Sequence, residues 1–242
     1  MPNFRVRSLA AELMETEACA FDDYRACLRD LERVNKATLA YRPTLTFLDR
    51  LADSGRLPGD RPVKIIDVGS GRGDLVRRID RWAARRGIAV ELTGLDKDPR
   101  ATRAAQLASE KSMQVRWVTA DIFTYREPRR FDLVVSSLFA HHLDETSLVR
   151  FLAWMEATAE LGWFVNDLHR HMLPYLAFMT LSRIVGWHRF VRHDGPISIA
   201  RAFTPEDWRR LVFEAGIPAD ACAITWWMPF RICVARLRGD VR

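Results

Sequence analysis

Apolar positions recur along the chain with two different periods, and the alternation between them predicts the elements. Leu28, Leu31 and Val34, and then Leu45, Leu48 and Leu51, stand at helical spacing, so residues 8–55 read as helices. Pro43 suits the first turn of the helix it opens, and Gly55 stands where that helix stops. Residues 54–62, dense in glycine, proline and charge, read as a loop. Beyond it, short runs containing β-branched residues alternate with helical stretches. Strands are predicted at about 63–68, 88–95, 114–119, 131–136 and 163–165. The helices between them fall at about 74–86, 99–111 and 144–159. Residues 168–203 leave this pattern, apolar over 172–181 and basic over 183–192. Regularity returns at Thr204-Pro205-Glu206-Asp207, a Thr N-cap with proline at the first helical position and acids in the first turn. That helix stops near Gly216, and two last strands, about 222–228 and 231–237, are joined through a bend holding Pro229.

Strands and helices alternating at this spacing mean an α/β fold, a mostly parallel sheet with right-handed crossovers and helices on both faces. The length of 242 residues suits one large α/β domain or a core with a cap, and a hydrophobic fraction of 48% argues against disorder. The formal charge of +6 comes from arginines spread along the chain, which reads as a solvated basic surface. It keeps nucleic acid and anionic membrane surfaces in view as partners. The basic residues form no stripe interleaved with aromatics, so no nucleic-acid partner is expected. Cys19, Cys27, Cys222 and Cys233 form no C-x-x-C pair, and no Cys/His cluster has zinc-ligand spacing, so reduced thiols and no metal site are expected. Glu12, Glu15 and Glu17 interrupt any leader-like apolar run, and no window spans a membrane. A cytoplasmic protein, monomer or homodimer, is the expectation, with peripheral membrane contact left open.

The organising stretch is Ile65-Ile66-Asp67-Val68-Gly69-Ser70-Gly71-Arg72-Gly73-Asp74-Leu75. An apolar run enters a glycine-rich turn and a helix leaves it, the arrangement by which a backbone approaches a nucleotide closely. Asp74 stands where a G-x-G-x-x-G dinucleotide fingerprint needs its third glycine, which disfavours an NAD-dependent oxidoreductase. With Asp67 before the turn, the stretch resembles motif I of the class I S-adenosylmethionine (SAM)-dependent methyltransferases. The resemblance covers about residues 60–167 by motif and 204–238 by topology. It implies a Rossmann-like seven-stranded sheet with an antiparallel last strand, and SAM as cofactor with S-adenosylhomocysteine (SAH) as product. Residues 1–58 are then a helical cap, and 59–242 the SAM-binding domain with 168–203 inserted.

Ligands of such sheets bind beyond the carboxyl ends of the strands. There Asp67 is expected to face the SAM ammonium, with the backbone at Gly69, Ser70 and Gly71 passing close to the amino-acid part. Asp96, with Lys97 beside it, is placed for the ribose hydroxyls, and Asp121 and Ile122 for the adenine. Ser137 completes the expected cofactor set. Each acid alone also reads as a cap or turn residue; three at successive strand ends favour a nucleotide.

The fourth strand ends in Ser136-Ser137-Leu138-Phe139-Ala140-His141-His142-Leu143, without the proline-containing signature of methyltransferases acting on base or amide nitrogens. His142 and His169, with His141, are the candidate general bases, since histidine titrates near neutrality. Asn166, Asp167 and His171 are candidates for positioning the acceptor or a base. Tyr175, Phe178 and Met179, in the apolar insertion, suit the wall of a pocket for a hydrophobic, aromatic small molecule. The segments Asn166-Asp167-Leu168-His169-Arg170-His171 and His193-Asp194-Gly195-Pro196-Ile197-Ser198, with Arg201-Ala202-Phe203-Thr204, resemble bacterial methyltransferases of the ubiquinone/menaquinone-biosynthesis-like type. Some of these accompany polyketide synthases that make phenolic lipids, in secondary metabolism. That resemblance implies O-methylation of a phenolic hydroxyl. C-methylation of a quinone precursor and a non-catalytic SAM-binding regulator or scaffold are the alternatives.

Overall fold

The computed structural model describes residues 2–126 and 130–239. A short turn of helix, α1 (Leu13–Thr16), precedes α2 (Phe21–Ala37) and α3 (Arg42–Asp53). Strands then alternate with helices: β1 (Val63–Val68), α4 (Asp74–Arg86), β2 (Val90–Asp96), α5 (Pro99–Ala108), β3 (Val115–Thr119), β4 (Phe131–Ser137), α6 (Glu145–Thr158) and β5 (Ala159–Leu168). The inserted segment is helical, as α7 (Met172–Val185) and α8 (Arg189–Arg201). The chain closes with α9 (Pro205–Glu214), β6 (Cys222–Trp227) and β7 (Arg231–Leu237).

The seven strands form one sheet in the order β3-β2-β1-β4-β5-β7-β6. β1 pairs parallel with β2 and β4, and β7 runs antiparallel to both β5 and β6. The order reverses between β1 and β4, which opens a crevice at their carboxyl ends. Helices cover both faces, so alternate residues of one strand enter different cores. Ile66, Val68 and Val134 pack with Phe151, Trp163 and Trp208 beneath α6 and α9. Ile65, Leu133 and Val135 pack with Leu48, Leu51, Ile79 and Trp82 beneath α3 and α4. The Phe47 and Phe164 rings stack at 4.7 Å, fixing α3 on the sheet.

Above the carboxyl ends of the strands, α2 spans two neighbours. Tyr24 and Leu28 pack on Ala101 and Ala104 of α5, while Cys27 and Val34 pack on Phe190 and Val191 of α8. The N-terminal helices and the insertion thus make one roof.

The fold departs from the sequence reading in three places. β5 starts at Ala159, several residues before the predicted strand, where Glu160 and Gly162 break the apolar pattern. Pairing with β4 and β7 supplies its backbone bonds there, and Gly162 admits the Arg236 carbonyl to 2.1 Å of where a Cβ would stand. α5 ends at Ala108, with Ser109 as C-cap, rather than at Lys111. The insertion, left without regular elements by the sequence pattern, holds two helices, and Gly195-Pro196 lies inside the second, α8. There the missing side chain of Gly195 lets the Phe178 ring of α7 seat against the helix; a Cβ would lie 2.0 Å from it. No helix among the described residues is long and apolar enough to cross a membrane.

Candidate active site

The tips of β1 to β5 and the helical roof enclose a cavity of about 670 Å³. Its floor is built from the glycine turn. Gly69 N–H and Ser70 N–H both donate to the Leu95 carbonyl, at 2.9 and 3.0 Å, tying the turn to β2. Gly69, at φ +72°, is held beneath Phe139, and a Cβ there would lie 2.6 Å from the ring. Gly73, at φ +71°, and Gly94 leave room for Trp117, whose ring would stand 2.2 and 2.3 Å from their Cβ atoms. The turn is therefore clamped by two aromatics, with positive φ angles that favour glycine.

Three acids meet this floor. Asp67 is 3% exposed, and its Oδ1 has no hydrogen-bond partner among the described residues. Burial raises its carboxyl well above the usual range, and the nearby Asp74 and Asp96 add to the effect. A buried carboxylate without a partner is costly, and a cationic ligand group is the partner it fits. Asp96 accepts from Gly71 N–H and Asp98 N–H, each at 2.9 Å; burial raises its carboxyl too, against these two bonds. Asp121 accepts from Phe123 N–H at 2.8 Å, and Ile122 is buried beside it at the cavity wall.

At the other end of the cavity the chain after β4 turns through Leu138, a left-handed residue at φ +57°, into a short helical turn, Ala140–His142. His141 is 3% exposed, and Asp167, at the tip of β5, receives both its backbone N–H (2.8 Å) and its Nδ1 (2.6 Å). Leu168 N–H also donates to Asp167, at 2.7 Å. Complete burial would raise the Asp167 carboxyl, but the attraction and hydrogen bond of His141, with these backbone bonds, hold it below the usual range. An ionised Asp167 makes Nδ1 a proton-bearing nitrogen of His141.

Residues 65–160 match the family described as "Methyltransferase domain". Those residues form a methyltransferase domain, in a chain whose fold is that of SAM-dependent methyltransferases. No curated protein sequence matches it. Among solved structures, the plantazolicin methyltransferase BpumL with bound SAH is 12% identical, with a TM-score of 0.61, over 89% of this chain and 95% of that one. The magnesium protoporphyrin IX methyltransferase of Synechocystis PCC 6803 with bound SAH is 17% identical, with a TM-score of 0.54, over 85% and 87%. Human N-acetylserotonin methyltransferase with SAM is 16% identical, with a TM-score of 0.63, over 91% and 57%. At these identities the likeness is one of fold.

Of the site residues expected from its sequence, the methyltransferase brings Asp67, Gly69, Ser70, Gly71, Asp96, Lys97, Asp121, Ile122, Ser137, His141, His142, His169 and Phe178 to the cavity. Five others do not line it. Asn166 is fully buried and donates to the Ala40 carbonyl (2.6 Å) and Ser137 Oγ (3.3 Å), joining β5 to the roof. Asp167 faces His141 instead, receiving its backbone N–H and Nδ1. His171 caps α7, accepting from Leu173 N–H at 3.1 Å, and stacks on Phe230. Tyr175 meets Phe4 edge-on at 5.3 Å, and Met179 follows it on the same side of α7.

The histidines divide the same way. His142 Nδ1 lies 2.8 Å from a Glu15 oxygen and leans on the roof. His169 is held below its usual pKa by burial first and by His171 second, and its Nδ1 has no partner among the described residues. His141 is the cavity histidine within hydrogen-bond distance of a fully buried carboxylate, whereas His142 stands 3.9 Å from the buried Glu12.

Sequence reasoning missed the N-terminal contributors, since nothing in their spacing ties them to the strands. Glu12 and Glu15 reach the histidine pair, and Arg7 donates to the His141 and Leu143 carbonyls at 2.7 and 2.6 Å. Tyr41 donates to Asp74 at 2.5 Å beside the glycine turn. Glu12, His141 and His142 each place a ligand-type atom within 4.8 Å of the others. Such a grouping could hold a metal ion, and Glu12 also accepts from Ser198 Oγ at 2.7 Å.

Proposed function

We propose that this methyltransferase transfers the SAM methyl group to a hydroxyl, most simply a phenolic one, of a hydrophobic small molecule. The observation that carries the reading is the Asp167–His141 pair opening on the same cavity as the glycine turn. When bound, SAM supplies a methyl group activated by its sulfonium. In this reading Asp67 takes the ammonium, and the Asp96 and Asp121 carboxylates take the ribose and adenine. Asp167 holds His141 in the tautomer whose Nε2 accepts the acceptor's hydroxyl proton, and then stabilises the imidazolium. Alignment of acceptor and methyl within the closed roof supplies the rest. Leu28, Leu31, Phe178, Leu181 and Ile199 on the walls favour an apolar acceptor.

The test begins with calorimetric titration of SAH and, in parallel, NADH. Binding of SAH but not NADH, weakened in Asp121→Asn, supports the cofactor assignment and opens a screen of alkylated phenols. Product regiochemistry then separates O- from C-methylation, and turnover that survives His141→Ala unchanged would remove the base assignment.

A further inference from the structure

Apolar side chains of α7 reach both the outside of this protein and its cavity. Pro174, Ala177, Phe178 and Leu181, spaced three and four residues apart, line the cavity. The adjacent row, Leu173, Ala177, Thr180 and Ile184, faces outward; Leu173 is 55% and Ile184 75% exposed. Ala177 belongs to both rows. At the N-terminal end of α7 the surface continues through His171, which stacks on Phe230, to Trp226, which meets Phe230 edge-on at 6.0 Å. Met228, 72% exposed, stands at the crest of this β6–β7 turn, and Pro229 and Phe230 line the cavity from that side.

Within the segments that carry this surface the charge has one sign, and acids reach it from other elements, as Glu17 and Asp30 do at α8. No Asp or Glu occurs from Leu168 to His193 or from Cys222 to Gly239. Arg183 lies on α7 itself, and Arg192 is exposed on α8. Arg189 is also there but is paired with Glu17. A second copy docked face to face would oppose these basic segments without acids to match them. An exposed apolar strip flanked by arginines complements an anionic lipid surface instead.

We propose that α7 and the β6–β7 turn dock on an anionic bilayer, so that a lipid-embedded amphiphile enters the cavity head first. The docking stands on surface chemistry alone; the identity of the amphiphile as methyl acceptor rests on the function proposed above.

The test is vesicle flotation of the full chain with phosphatidylcholine vesicles, with or without an equal part of phosphatidylglycerol. Binding is expected to the mixed vesicles, weakened by high salt, and reduced at least tenfold in Leu173→Glu/Ile184→Glu and several-fold in Arg183→Glu. Neither variant touches the cavity, so both should keep wild-type SAH affinity and helicity. Failure of SAH-competent wild type to float, or equal flotation of the double variant, overturns the proposal. Light scattering that shows a wild-type dimer made monomeric by Leu173→Glu/Ile184→Glu also overturns it, assigning the face to a second copy. Loss of SAH binding with flotation retained would sink the methyltransferase reading and leave the docking standing.

Discussion

Asp167 and His141, 26 residues apart in sequence, share two contacts: the carboxylate of one receives the backbone N–H and the ring Nδ1 of the other, at 2.8 and 2.6 Å. One bond fixes where the imidazole stands and the second fixes its tautomer. Nothing else among the described residues holds a cavity histidine by two bonds to one buried carboxylate.

Asp167→Asn is therefore expected to lower kcat by about 10²–10⁴-fold, the usual worth of a positioned base, while SAH affinity stays within a factor of two or so. The amide still meets Nδ1 but no longer imposes the tautomer. Kinetics with an identified acceptor, beside SAH calorimetry of the same variant, make the check. Equal loss of both would mean a structural role only.

Asp67 links stability to ligand binding. Its folded-state pKa is raised, so its contribution to stability is full below the ordinary value of 3.8 and is lost as pH rises through the folded value. Asp67→Asn should then raise the melting temperature of the ligand-free protein near neutrality and weaken SAH by about ten- to hundredfold. SAH binding to wild type should release a proton as its ammonium draws Asp67 into the ionised form. Calorimetry in phosphate and in Tris reads that release as a buffer-dependent heat; equal heats would exclude it.

Glu15 carries the opposite sign. Partial burial would raise its carboxyl, but hydrogen bonds from His142 and Arg201 outweigh this and hold it far below the ordinary 4.5. The stability it contributes is present above that value and lost as pH falls below it. Glu15→Gln should cost about 1 kcal/mol at neutral pH and flatten the acid limb of the stability curve, measured by urea unfolding at stepped pH.

Gly73 makes the turn's demand visible. Alanine there meets a left-handed φ of +71° and the Trp117 ring at 2.2 Å. A loss of about 2–4 kcal/mol is expected, with a change in tryptophan fluorescence as Trp117 is displaced. Wild-type stability in urea would contradict this packing.

The sequence by itself determined the sheet and which groups stand together at its strand ends. The glycine turn, Asp67, Asp96, Asp121 and Ile122 were legible because a strand and the turn that ends it are local, and the fold puts every such end on one edge. Among the histidines the sequence put His142 and His169 first, since both stand beyond strand ends; the tertiary structure instead buries Asp167 against His141, which is what supports His141 in the proposed reading. It also recruited Glu15 to His142 across 127 residues and turned Asn166, Tyr175 and Met179 away from the cavity. It made helices of an insertion with no legible pattern, and seated Phe178 of α7 in the space that Gly195 leaves in α8. Side-chain direction, burial and charge pairing depend on what packs opposite, and that partner lies elsewhere in the chain.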